Sequence, residues 1–381
     1  MKPISRRTFL KTSAAAAATL AFPSVCLGGW KKVQKVVIVR FGGGVRFAET
    51  FGDSRAPNLP YIAKGLLPGA TLYTNLFNDG ATDHVGGTLQ ILTGKPCHLK
   101  DMDRRSPKAP TIFEYYRQEK NPRRVPASKC VVVAHTALDV AYHRSLNPKF
   151  GSEFGGVVFS PRLLMYEHLY KVMENEQDTT SDVYRKAKDL RERLWLSEDF
   201  EHTEDPDRNA PAYAGDAGAA VTTALQKEKV PTVRTRAVGD ELVMKFAESL
   251  MGTLKPDILM VNFAGPDIAH KGSFGDYLER IRMIDIFTAQ LFNEFKKKWI
   301  KNGLFFVLPD CGRSLPGHGG GGFTSHRNGD EGCRHIWAIV AGAGVKKKVI
   351  DTPVSQFDIA PTIGEAMGFG TSEALGKPLP D

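Results

Sequence analysis

Long apolar runs are missing from this 381-residue chain beyond its start. None approaches the roughly 18 residues that a membrane span needs, so no transmembrane segment is expected after the leader. Cysteine is scarce as well. The five present, Cys26, Cys97, Cys130, Cys311 and Cys333, form no CxxC pair. That spacing excludes a zinc knuckle and a disulfide-rich scaffold, and leaves room for one disulfide in an oxidising compartment. Neither an internal repeat nor a heptad array is present, so a solenoid and a coiled coil are also set aside. Residues 1–29 contain no acid at all, only the cations Lys2, Arg6, Arg7 and Lys11; removing these four from the formal balance of +9 leaves +5. A charge so small and dispersed argues against a nucleic-acid partner.

The acid-free start has a positive content of its own. "SRRTFLK" (Ser5 to Lys11), the alanine run from Ala14 to Ala18 and the small residues that follow have the order of a twin-arginine export signal, expected over residues 1–29. Cys26 in "PSVCLGG" offers a lipid-anchor site instead, against which the bulk of Val25 counts. Export places the mature protein in the periplasm or an equivalent exported location.

Residues 30–381 read as a single domain. The runs "VQKVVIVRF", "CVVVAHT", "PDILMVNFAG", "GLFFVLPDCG" and "IWAIVAGAGV" are short, apolar and closed by polar or glycine-rich turns, the pattern of buried strands. Between them "DVYRKAKDLRERLW", "DELVMKFAESLMGTL" and "DYLERIRMIDIFTAQLFNEFKKKW" carry apolar residues at three- and four-residue spacings, as helices do. The alternation predicts an α/β fold, a three-layer α/β/α sandwich around a mainly parallel sheet. At about 164–238 the pattern weakens into charged sequence, expected to be an insertion or lid.

In such sheets sites form where the carboxyl ends of strands meet their loops. "NFAGPDIAHKG" puts Asp267 and His270 there, suitable oxygen and imidazole ligands for a divalent cation. "VLPDCGRSLPGHGGGGFTSHRNGDEGCRHIW" puts Asp310 and Cys311 at a second strand end, with His318, His326 and His335 in and after a glycine-rich loop. A two-metal site is the chemistry that such a set suits.

These stretches carry a resemblance. "KPDILMVNFAGPDIAHKG" is similar to a segment of the alkaline phosphatase superfamily, particularly its cofactor-independent phosphoglycerate mutase branch. "VLPDCGR" resembles the superfamily strand that ends in Asp-His-Gly. "CRHIWAIVAGAGVKKK" resembles the stretch whose His completes the first metal site, "LQILTGK" the end of the helix behind the nucleophile, and "SQFDIAPTIGEAMGF" the near-terminal helix. The whole also resembles sulfatase-like bacterial proteins with a twin-arginine leader. By this resemblance Asp267, His270 and His335 hold one metal and Asp310 helps to hold another. The His-rich set favours zinc, with manganese and calcium as alternatives.

The departures from the pattern are specific. Asp267 and His270 are three apart where the mutase pattern has four. "VRFGGGVR" ends the first strand without the usual aspartate, leaving Glu49 and Asp53 as substitutes, and Cys311 replaces a histidine. The resemblance puts the nucleophile ten residues before Gly94, which is His84: a candidate nucleophile, metal ligand or plain helix-start residue. Thr82 and Thr88 are the nearest hydroxyls, and a small register shift brings Thr82 to the reactive position. Arg46, Arg313 and Arg334 flank the region and could grip an anionic ester. The expected function is an exported metal-dependent hydrolase of a small phosphate or sulfate ester. The alternative is a catalytically degraded relative that serves as a periplasmic binding or assembly protein. Mutase-like isomerisation ranks below both, because the insertion is too short for a second catalytic domain.

Overall fold

The computed structural model describes residues 29–53, 55–97, 106–134, 144–150, 152–196, 237–317, 321–326 and 329–381; Cys26 with nearly all of the expected leader, and His318, lie outside these ranges. The first strand, β1 (Lys35–Phe41), shows how the sheet is built. Its side chains alternate between two cores: Val37, Val39 and Phe41 enter one, Val36 and Ile38 the other. That is the two-residue period of a strand covered on both faces, which is why the run contains almost no polar residue.

In chain order there follow α1 (Pro60–Gly65), β2 (Ala70–Phe77), α2 (His84–Thr93), α3 (Ile112–Lys120), β3 (Cys130–Ala134) and β4 (Val157–Phe159). Next come α4 (Pro161–Asn175), α5 (Asp182–Leu196), α6 (Val238–Thr253), β5 (Ile258–Phe263), α7 (Phe274–Trp299) and β6 (Gly303–Pro309). The chain closes with α8 (Glu331–Arg334), β7 (His335–Gly342), β8 (Lys348–Ile350), β9 (Val354–Ser355) and α9 (Ile359–Met367). The strands form one sheet in the order β4-β3-β5-β1-β6-β7-β2-β8, with β9 also on β2. Apolar residues of α1, α6 and α7 cover one face, and those of α2, α3 and α9 the other. The three-layer sandwich is therefore as expected. Only β7 runs against its neighbours β6 and β2. The strand β2, "ATLYTNLF", is absent from the sequence reading because Thr and Asn interrupt its apolar run.

The insertion expected at about 164–238 is in part core. Leu164, Met165 and Leu169 of α4 and Ala187, Leu190 and Leu194 of α5 are buried in the same cluster as α6. Leu164 falls inside a helix rather than at a boundary. The charged sequence of α5 misleads because only one of its faces is apolar.

Caps fix two helices of one layer. Ser273 and Asp276 form a capping box at the start of α7. Farther along that helix, Asp285 accepts the Tyr61 and Ile62 amide protons at 2.9 and 2.8 Å, satisfying the exposed amides that begin α1. Because β1, β5 and β6 are parallel, the loops after Phe41, Phe263 and Pro309 leave the same edge of the sheet. There the candidate residues meet.

Candidate metal centre

The loop after β5 is shaped before any ligand is considered. Asp240 of α6 accepts the Ala264 amide at 2.9 Å and the Gly265 amide at 2.8 Å, and a single 3-10 helix, Gly265–His270, then carries Asp267 and His270. Burial raises the Asp240 carboxyl to about 6, although those two amides pull it down. Gly43 packs its backbone on this loop with φ +84°, and a Cβ there would collide with the Asp267 amide. The glycines after β1 thus allow two loops to touch.

His84 is the first residue of α2, behind the N-cap Asp83, whose carboxylate accepts the Gly86 amide at 2.7 Å. Its imidazole spans two carboxylates: Nδ1 lies 2.8 Å from Asp310 Oδ2 and Nε2 lies 2.8 Å from Asp267 Oδ1. Burial opposes a charged ring here, but Asp267 and Asp310 outweigh it and raise the pKa well above the usual histidine value. The same contacts act back on the acids. Asp267, despite burial, is held well below the ordinary carboxylate range by His84, His270 and Arg313. Asp310, also opposed by burial, is brought down to about 2 by His84, Arg40 and the Cys311 amide.

Two more imidazoles turn inward. His270 Nε2 is 3.2 Å from Asp267 Oδ1, and His326 Nε2 is 3.0 Å from His270 Nε2. His326 Nδ1 donates to the Thr82 carbonyl at 2.8 Å, which leaves its Nε2 as a lone pair directed at the cluster. Burial, with His84 and Arg313 nearby, drops the His326 pKa to about 2, so this ring is neutral. One donor atom from each of His84, Asp267, His270 and His326 lies within 4.8 Å of the others. A divalent cation fits this group: its donors are nitrogen and oxygen, His326 has its remote nitrogen tied to a carbonyl, and His84 has its own tied to a carboxylate. Side-chain exposures of 21% for His84 and 18% for His270 leave the cluster open on that side.

His335 is not in the group. It begins β7 on the same edge, yet its ring stacks on Phe47 and Phe77, with centroids 4.5 and 5.2 Å away, and its Nε2 donates to the Thr74 carbonyl at 2.9 Å. His326, which the sequence offered with His318 and His335 as one of three candidate histidines, stands in the group instead. Glu49 is not a ligand either: it forms a two-pronged ion pair with Arg46 at 2.8 and 2.6 Å. Asp53 pairs with Arg55 at the surface.

The arginines divide. Arg313, fully buried, donates to Asp267 Oδ1 at 2.8 Å and to the Gly43 carbonyl at 2.8 Å. Arg46 is spent on Glu49 and the Ser314 carbonyl, and Arg334 on the Gly329 and Asn78 carbonyls. These contacts hold both side chains in place beside the cluster. Thr82 offers the cluster its carbonyl, while Thr88 bonds its hydroxyl to the His84 carbonyl at 2.6 Å and accepts from Arg40. Cys311 is buried with Sγ 3.9 Å from His84 Nδ1, and burial beside Asp310 pushes its thiol up to about 12.

Comparison with known proteins gives two kinds of finding. The family model for the TAT (twin-arginine translocation) pathway signal sequence matches residues 3–23, pointing to export by that route. No helix among the described residues is long and apolar enough to cross a membrane. No curated protein matches the chain. Solved structures do. Wild-type alkaline phosphatase PafA superposes with a TM-score of 0.55 at 14% identity, covering 92% of this chain and 99% of that one. The lipoteichoic acid synthase LtaP from Listeria monocytogenes gives 0.51 at 11% identity over 91% of this chain and 75% of its own. Ps i-CgsB gives 0.51 at 14% over the same shares. A twin-arginine leader thus precedes a chain whose three-layer fold is shared with alkaline phosphatase PafA.

Proposed function

We propose that this chain is an exported, metal-dependent hydrolase of a small phosphate or sulfate ester, acting in the periplasm. The observation that carries the reading is the convergence of Asp267 Oδ1 with the Nε2 atoms of His270 and His326, and of His84 beside them, at the open edge of the sheet. Asp267, His270 and His326 would hold the cation. Zinc suits two or three imidazoles and one carboxylate, whereas manganese and calcium lean on oxygen donors, of which this group has one. The bound cation would neutralise the ester's anionic oxygens.

The remaining work falls to this chain's own residues. His84 donates from Nδ1 to Asp310 and from Nε2 to Asp267, and the charged ring that these two acids favour keeps a proton on Nε2, facing the cluster. As water attacks the phosphorus or sulfur and the ester bond breaks, that proton can pass to the departing oxygen, a contribution of about 10²–10⁴-fold in rate. The α2 N-terminus, where the ring is rooted, adds partial positive charge for an anionic substrate. Arg313 keeps Asp267 ionised and in place.

A second reading has its own support. His84 Nε2 belongs to the same donor group. As a fourth ligand it would close the shell in the manner of structural sites, and the protein would bind without turning over. Substituting His84→Gln separates the two. In the hydrolase reading metal content stays at the wild-type level while turnover of aryl phosphate or aryl sulfate falls at least 100-fold. Loss of the metal itself assigns His84 to the coordination shell and supports the binding role.

A further inference from the structure

The Asp310 side of His84 is as well placed for a cation as the Asp267 side, since His84, Asp310 and Cys311 also bring donor atoms within 4.8 Å of one another. A second ion there would meet partners already placed on each oxygen of Asp310. Oδ1 accepts the Gly44 amide at 3.2 Å and the Cys311 amide at 2.8 Å. Oδ2 accepts from His84 Nδ1 at 2.8 Å and faces Arg40 Nη1 at 3.8 Å. Both lone pairs of Oδ1 and one of Oδ2 are thereby committed, and the Arg40 charge stands at ion-pair distance from the other.

Arg40 is a residue of β1, whose side chain is only 2% exposed. Its guanidinium is tied down on several sides: Nη1 donates to the Thr88 hydroxyl and, at 3.4 Å, to the His84 carbonyl, and Nη2 donates to the Phe263 carbonyl at 3.3 Å. It also closes the position from which a first-strand carboxylate would reach in. Gly42 follows the Phe41–Pro309 pair and so lies level with Asp310. A Cβ on Gly42 would collide with the Phe263 carbonyl and come within 2.6 Å of Arg40 Nη2.

We propose that Arg40 is a built-in replacement for a second metal ion: a fixed guanidinium that balances Asp310 and, through Asp310 and the His84 carbonyl, positions His84. The centre then takes a single ion, on the Asp267 side. Only that last location rests on the reading of the preceding section. A buried cation held by the fold is always present and needs no supply, whereas an ion must be captured and retained.

Cobalt(II) titration of the full chain, read by elemental analysis and by the near-ultraviolet charge-transfer band of a cobalt-bound thiolate, tests this. Wild-type protein is expected to take one equivalent without a thiolate band, and Cys311→Ser to take the same. Arg40→Glu, which exchanges the guanidinium for a ligand, is expected to gain one equivalent over wild type. A thiolate band or a second equivalent in the wild type overturns the proposal, as does a folded Arg40→Glu that gains nothing. Should Arg40→Glu not fold, the wild-type and Cys311→Ser titrations decide alone. No ion in the wild type with one gained by Arg40→Glu sinks the Asp267 ion site while upholding the role of Arg40.

Discussion

Asp267 and Asp310 each follow a parallel strand, and each lies 2.8 Å from one nitrogen of the same imidazole, yet they face different surroundings. All the hydrogen bonds that Asp267 accepts among the described residues fall on Oδ1, from His84, His270 and Arg313, and a third imidazole points toward the same place. Asp310 has both oxygens occupied by amides, a ring and a guanidinium. Beside Asp267 stand three imidazoles, each able to turn a nitrogen lone pair to a cation, whereas Asp310 is held by two backbone amides, one ring and a guanidinium charge. Imidazoles can exchange a proton for a metal ion; amides and a guanidinium cannot.

The largest effects should come from removing the two acids in turn. Asp267→Ala strips the cluster of its one oxygen ligand and leaves Arg313 buried without its carboxylate, at a cost of about 3–5 kcal/mol. Metal content and melting temperature should therefore fall together. Asp310→Asn keeps the shape and a carbonyl oxygen toward His84, so the ion should remain with affinity or activity reduced about 10–100-fold, as for other groups that orient a ligand from behind. Equal metal loss in both variants, by elemental analysis, would erase the distinction between the two acids.

A smaller effect is set by pH. The His84 pKa, raised well above 6.5, makes a stabilising contribution that is complete below 6.5 and is lost as pH rises through the higher folded value. Asp240 and Asp285, both raised to about 6, have a contribution that is complete below 3.8 and already lost by that window, so they do not mask it. Chelated protein should lose melting temperature as pH climbs above 6.5, and His84→Gln should flatten that slope. A slope unchanged by the substitution would place the titrating group elsewhere.

The smallest effect is expected at His335. His335→Ala removes a ring stacked between Phe47 and Phe77, and should lower stability modestly while leaving metal content unchanged. Loss of the metal in this variant would restore the ligand set that the family resemblance implied and remove His326 from it.

Much of the frame was legible early because it rests on local periodicity. β1, β5 and β6 announce themselves as mainly apolar runs, and α7 as a long amphipathic pattern with its capping box. Less of the centre was legible. Asp267 and His270 stand out because a turn directly follows a strand. His326 carried only one weak signal, its place in the glycine-rich loop that returns from Asp310, and Arg40 carried none, since one arginine in an apolar strand reads as an interruption.

By itself, the sequence determined the export leader, the α/β alternation and the strand ends at which chemistry can gather, because each depends on residues near one another in the chain. Tertiary structure alone decided which histidine completes the cluster and which cation faces Asp310. His326 and His335 are both within reach of the same edge, but Phe47 and Phe77 claim one ring, and the Thr82 carbonyl turns the other inward. Those partners come from distant parts of the chain, and only folding brings them into contact.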